Sequence, residues 1–385
     1  MSAPQEYMLQ PKAPLVFRSG KPFQAGVRDD AQYPSPAAWA GLLRTQYMEQ
    51  RGWRDLDHAQ QQELLGLPAH GVLLARRNAG GLAVYVPKPA DAVCLQTHEH
   101  YLRLQPVAMR QGSGSDLPAG LMPVGMEKPA FDKPRACPAY WSLDDYVAWA
   151  QGEALRPDPN VGPPLADART HVAIDPTSFA AADGQLFRTE ALDFGVQRNS
   201  LGNVAGNASG SPQGDPPNDR DWVLLGRGPA GLPAGLVVFG GERRLSYLIP
   251  NTTPSLRLPQ TLDQSVANAQ GLALTLASPA LFRDGWKPGW LDAQMEGELP
   301  SQSDLRVKLV AAKIDRWHAV SGWDLHLRQP KPTRRAVAAG ATYWFRILSG
   351  RPDPAALWLS PISDSAQDRN DGFGLALVRP WPFLE

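Results

Sequence analysis

The residues best suited to chemistry are cations set beside glycines at the ends of apolar runs. They are Arg18 and Lys21, Arg44, Arg169 near His171, Arg243 with Arg244, and Arg369 before the triplet Gly372, Phe373 and Gly374. Glycine lets a main chain approach a ligand closely, and the arginine fork donates two parallel hydrogen bonds to a phosphate. Together they suit a sugar-phosphate backbone. Phe23, Phe179, Phe187 and Phe373 lie near the same loops, where aromatic rings could stack unpaired bases. The competing reading makes all four core or lid residues, and it is the preferred one for Phe187. Arg18 ends the apolar run 15–17, and Ser35 with Pro36 then reads as the N-cap and first residue of a helix. A helix N-terminus beside Arg18 and Lys21 is a candidate anion site. A solvated surface loop before an ordinary amphipathic helix satisfies the same pattern.

Enzyme signatures are missing. The chain has no phosphate-binding GxxxxGK[ST] loop and no GxSxG elbow, and its glycine-rich run 226–231 does not open a helix after a clear strand. The turn 240–244 carries one carboxylate and two arginines, a combination that repels a metal pair. His98 and His100 would share a face if their segment were a strand, but no third ligand lies nearby. His171 sits in an apolar strand, where a structural histidine is the usual finding, and Asp175 before Pro176 reads as a turn-former. Asp29-Asp30 and Asp144-Asp145 read as loop and helix-cap charges. No catalytic residue, metal ligand or cofactor is expected.

The elements that must carry these residues follow from pattern. A first strand is expected over 7–17, helices over 36–51, 56–67 and 141–150, a hairpin over 71–87, and a strand, projecting excursion and strand over 169–194. Ser142 and Asp145 resemble a capping box, and Gly41 would let its helix pack closely on a sheet. The segment 199–221 is poor in apolar residues and reads as mobile. Strand, tight turn and strand follow over 236–250, with further strands at 271–277, 305–314, 318–326 and 342–347, a short helix from 354, and a closing glycine turn and strand over 371–381.

The 385 residues contain 38 lysines and arginines against 38 aspartates and glutamates, so any nucleic-acid contact must use local basic patches. The 38 prolines and 35 glycines predict short elements and long irregular connections. An α+β chain with antiparallel sheets is the expected class, divided at the polar segment into 1–225 and 226–385. The two cysteines, Cys94 and Cys137, suggest no disulfide framework and a reducing compartment. With no apolar leader and no run of 18 apolar residues, a cytoplasmic protein without a membrane partner is expected.

Several blocks, in order, resemble one family. LVFRSGKPF (15–23) with YPSPAAWAGLLRT (33–45), RTHVAID (169–175) with GQLFRTE (184–190), GGERR (240–244) and DGFGLALV (371–378) are similar to motifs of the third Cmr subunit, a RAMP-superfamily protein of type III-B CRISPR effector complexes. Ala38-Trp39, Leu43 and the segment 177–180 depart from its usual pattern. The resemblance implies two ferredoxin-like (RRM-like) domains with long Pro/Gly-rich insertions and no catalysis. It implies a subunit that binds the 5′ handle of the guide RNA and docks the large polymerase-like subunit and the first backbone RAMP subunit in antiviral defence. Arg18, Lys21, Arg169, His171, Arg243 and Arg244 become candidate handle contacts, and the excursion 176–184 a candidate thumb over the guide. The alternative is a RAMP ribonuclease that processes repeat RNA without metal, using His171 as general base; it lacks a paired second group. A metal-dependent hydrolase built on His98 and His100 is a third reading.

Overall fold

The computed structural model describes residues 4–18, 31–78, 81–109, 112–128, 130, 132–158, 164–195, 222–324 and 329–382. Lys21, Phe23, Asp29, Asp30 and the polar segment 199–221 lie outside them. Two antiparallel sheets share one core. The first contains β1 (Gln5–Pro11), β2 (His70–Asn78), β3 (Gly81–Pro87) and β4 (Tyr140–Ser142). After a projecting hairpin of β5 (Leu165–Ile174) and β6 (Ala181–Asp193), it is completed by β7 (Trp222–Gly228), β8 (Gly235–Val238) and β9 (Leu245–Asn251), in the order β8-β9-β1-β7-β2-β3-β4. The second contains β10 (Gly271–Leu276), β11 (Glu296–Leu299) and β12 (Gln302–Lys313). A small pair, β13 (His318–Val320) and β14 (Arg334–Ala336), stands apart. β15 (Thr342–Ser349), β16 (Ser360–Pro361) and β17 (Leu375–Pro380) complete the order β11-β12-β15-β10-β17-β16.

Strands covered on both faces read as continuous apolar runs whose side chains point alternately to the two sides. Tyr7, Leu9, Leu74, Trp222 and Leu224 face helix α1 (Pro36–Gln50), which supplies Trp39, Leu42 and Leu43. Met8, Leu73, Val223 and Leu225 face the other way and join Leu272, Leu274, Leu276, Tyr343 and Phe345 in the shared core. α1 and α2 (His58–Gly66) connect β1 to β2, with β7 lying antiparallel between them. In the second sheet β15 reaches β17 through α5 (Pro354–Leu357) and α6 (Ala366–Asn370), with β10 antiparallel between them. α3 (Leu143–Ala150) and α4 (Gln260–Ala267) add Tyr146, Leu262 and Val266 to the shared core.

The caps follow from side-chain chemistry. Ser35 accepts a hydrogen bond from the Ala38 amide, Asp57 and Gln60 form a full capping box on α2, and Ser142 accepts from Asp145 on α3.

Several expectations are corrected. β1 stops at Pro11, because Pro11 and Pro14 cannot donate to a ladder; Leu15 makes only an isolated bridge to Leu192. β9 pairs with β1 and β8 with β9, so the first sheet runs on to Asn251. Gly41 has open space where a Cβ would be. The close approach is made instead at Gly71 and Gly226, where an added Cβ would come within 2.8 and 2.7 Å of the Trp39 indole. Cys94 and Cys137 are joined in a disulfide, their Cα atoms 6.0 Å apart, beside Tyr101, Trp141 and Trp149. Spacing in sequence had hidden this, because an insertion between β3 and β4 folds back on itself. Among the described residues no helix is long and apolar enough to cross a membrane.

Candidate nucleic-acid interface

The segment through Val16 is a strut between two structures. Leu15 and Leu192 exchange backbone hydrogen bonds of 2.8 Å in both directions, tying the strut to the base of the β5–β6 hairpin. On the other side the Gly241 amide donates to the Val16 carbonyl at 2.8 Å, and the Phe17 and Phe239 rings meet edge-on at 5.1 Å. Gly240 makes this possible. Its φ is +88°, and a Cβ there would sit 3.0 Å from the Val16 oxygen. Glu242 and Arg243 then take left-handed φ values of 56° and 50°, unusual for residues with side chains. Arg244 pairs with Glu242 at 2.6 Å, while Arg243 is exposed. Arg18, also exposed, lies two residues beyond Val16. Three of the sequence blocks therefore meet at one place.

The hairpin emerges from this cluster with two different faces. On one, His171 is opposite Phe187 and Arg169 opposite Thr189. The His171 and Phe187 rings stack at 5.2 Å, and the imidazole Nε2 is 2.8 Å from Thr189 Oγ1. Arg169 pairs with Asp167 at 2.7 Å. The other face carries Thr170 and Val172 opposite Arg188 and Leu186, with Arg188 paired to the nearly buried Glu190 at 3.1 Å. The tip is closed by Asp175, whose carboxylate accepts from the Thr177 and Ser178 amides, both at 2.8 Å. Those bonds, the Ser178 one first, hold the Asp175 carboxyl below the usual carboxylate range. Phe179 stands at the tip with 82% of its surface exposed.

His171 is thus exposed on a projecting hairpin and not inside an apolar strand of the core, and Phe187 stacks on it at the surface instead of filling a core or lid. Arg188 and the exposed Ile174 and Leu186 were not singled out from sequence, although the alternation in GQLFRTE placed Leu186 and Arg188 on one face. The arginines of Arg169–Asp167 and Arg244–Glu242 are partly exposed. Such pairs are worth little more than about 1 kcal/mol each, so a phosphate can displace the carboxylate.

Arg44 and the Gly372–Gly374 loop lie elsewhere. Arg44 bonds Asp371 at 2.5 Å and the Leu67 carbonyl at 2.9 Å. Gly372 and Gly374 have φ values of 84° and 81°; a Cβ on either would come within 2.9 Å of Ala69 O or 2.8 Å of Ser363 Oγ. Phe373 is 1% exposed, packed with Leu281, Val320 and Ala336. Here glycine serves close packing of the chain on itself. Lys21 is outside the described residues.

No carboxylate hydrogen-bonds His171 among the described residues, and they contain no group of three or more metal-ligating side chains. His98 and His100 lie in a turn region, not a strand; His98 faces Asp132 at 3.8 Å, and His100 accepts from Arg156.

Among solved structures the chain resembles subunits in cryo-EM structures of the Type III-B Cmr-beta bound to cognate target RNA and AMPPnP (state 1), at 14% identity, and of the Type III-B Cmr-beta bound to cognate target RNA, at 13%. Each likeness has a TM-score of 0.46 and covers 88% of this chain and 86% of the other. No curated protein matches. The model of the CRISPR-associated protein family Cas_Cmr3 matches residues 7–381, which takes in the strut, the hairpin, the GGERR turn and the closing strand, and the chain belongs to that family.

Proposed function

We propose that this chain is a non-catalytic subunit of a type III-B CRISPR (Cmr) effector complex that holds the 5′ handle of the guide RNA. The observation that carries the reading is the meeting of the strut, the GGERR turn and the base of the hairpin at Leu15 and Val16, segments that carry Arg18, Arg243 with Arg244, and Arg169 with the His171–Phe187 stack. Cations that reach phosphates, next to flat rings that reach bases, are what single-stranded RNA requires. The hairpin tip, with Phe179 outermost, is the proposed thumb over the guide.

The sheet orders support two ferredoxin-like domains. Four strands of each sheet, β9-β1-β7-β2 and β12-β15-β10-β17, follow the antiparallel order of that fold, with the Pro/Gly-rich segments as insertions. Docking on neighbouring Cmr subunits, the large polymerase-like one and a backbone RAMP subunit, is supported by Leu236, Val238 and Leu245. These stand 64%, 52% and 48% exposed on the edge hairpin β8–β9, and exposed apolar side chains grouped in this way mark protein contacts.

The test is co-expression with sibling subunits and a guide RNA. The variant Arg18→Glu, Arg169→Glu, Arg243→Glu, Arg244→Glu is expected to assemble but lose protection of the handle from nuclease. Undiminished protection would refute the assignment of these residues. RNA cleavage by the purified chain without metal, abolished by His171→Ala, would replace this reading with that of a ribonuclease.

A further inference from the structure

We propose that the β13–β14 pair carries a second single-stranded RNA contact, a base-stacking step made by Trp317 and Arg335. It rests on reading the chain as an RNA-binding subunit, and it lies outside the cluster at Val16. Trp317, just before β13, is 51% exposed, whereas the other described tryptophan side chains are at least partly covered. The Arg335 guanidinium lies 4.9 Å from the indole centroid. An arginine stacked on an aromatic face keeps its in-plane N–H groups available for phosphate, and the indole offers a surface on which any base can stack.

The pair is positioned, not loose. His318 is opposite Ala336, and Val320 and Ala336 are buried against Leu281 and Phe373. Arg334 is fixed to Asp368 by two hydrogen bonds of 2.9 and 2.8 Å. Successive residues of a strand point to opposite faces, so the burial of Ala336 aims Arg335 outward. Arg316 and Lys331 nearby are exposed. The local aspartate Asp315 is paired to Lys313 at 2.9 Å.

The chain also links this patch to the first site. The Ala31 amide reaches Glu190 at the hairpin base (3.4 Å), and Ala37 packs on the cluster of Val320, Ala336 and Phe373. The peptide steps from Ala31 to Ala37 span at most about 20 Å.

The experiment is fluorescence anisotropy of a 5′-labelled single-stranded RNA of about 16 nucleotides titrated with the purified full chain. Trp317→Ala is expected to raise Kd about 5- to 100-fold, with Trp317→Phe close to wild type. Arg335→Glu is expected to weaken binding and to lower the slope of log K against log salt by about 1. If Trp317→Ala and Arg335→Glu bind like wild type while Arg243→Glu/Arg244→Glu does not, this inference is overturned and the handle reading stands. If the wild-type chain binds no RNA, both fall. If Trp317→Ala keeps its RNA affinity but no longer co-purifies with sibling subunits, the patch is a protein contact and the inference is overturned.

Discussion

Removing the Asp91 carboxylate should unlock the two sheets. Asp91 follows β3 of the first sheet and is fully buried; its Oδ2 accepts from Arg379 Nη2 of the second sheet at 2.5 Å, and its Oδ1 from Thr342 Oγ1 at 3.2 Å. Arg379 is 4% exposed, and its Nε has no partner among the described residues. A second guanidinium, Arg103, is held close by a hydrogen bond to the Trp149 carbonyl and by the Trp149 ring 3.6 Å below it. Burial, and next the charge of Arg379, bring the Arg103 pKa down to about 10. Asp91→Ala therefore leaves two enclosed cations without their anion. Breaking such a buried pair costs about 3–5 kcal/mol, comparable with the roughly 4 kcal/mol of a unit pair at 4 Å in a medium of effective dielectric 20. At roughly 2–4 °C per kcal/mol for a large domain, the melting temperature should fall about 6–20 °C. Calorimetry or dye-monitored melting reads this directly. The double variant Asp91→Leu/Arg379→Met should recover most of the loss, since it removes both desolvated charges. A single variant within about 1 kcal/mol of wild type, or a double variant no better than the single, would refute the reasoning.

Three further outcomes follow from the geometry. Gly226→Ala would drive a methyl against both the Trp39 indole and the His70 carbonyl, 2.7 and 2.8 Å away; urea denaturation should show a loss of about 1–3 kcal/mol, because backbone cannot yield. Burial, aided by the Arg227 charge, lowers the His70 pKa from 6.5 to about 4. The unfolded chain thus binds the extra proton first, so this contribution is complete above pH 6.5 and is lost as pH falls toward 4, by at most roughly 3 kcal/mol. Replacing His70 by Gln should flatten the stability–pH curve in that window. Phe179→Ala, at a tip 82% exposed, should leave melting within about 0.5 kcal/mol of wild type while reducing guide-RNA retention in the co-expressed complex.

Local chemistry was legible in the chain itself. Ser35-Pro36, Asp57 and Ser142 start helices because a side-chain oxygen satisfies an amide that the helix cannot, and the apolar runs in 71–77 and 81–87, joined by turn residues, spelled out the hairpin β2–β3. The family blocks were legible too, since each combines a turn glycine with residues that need it. What the sequence alone could not assign was which blocks meet. Arg44 and Phe373 have the same character on paper as Arg18 and Phe179, yet packing covers the first two and leaves the others in solvent. That sorting depends on long-range contacts such as Leu15–Leu192, Val16–Gly241, Arg44–Asp371 and Cys94–Cys137. A residue's type and spacing carry its chemistry, but its exposure and its partners are properties of the folded chain, and only the tertiary structure decided them.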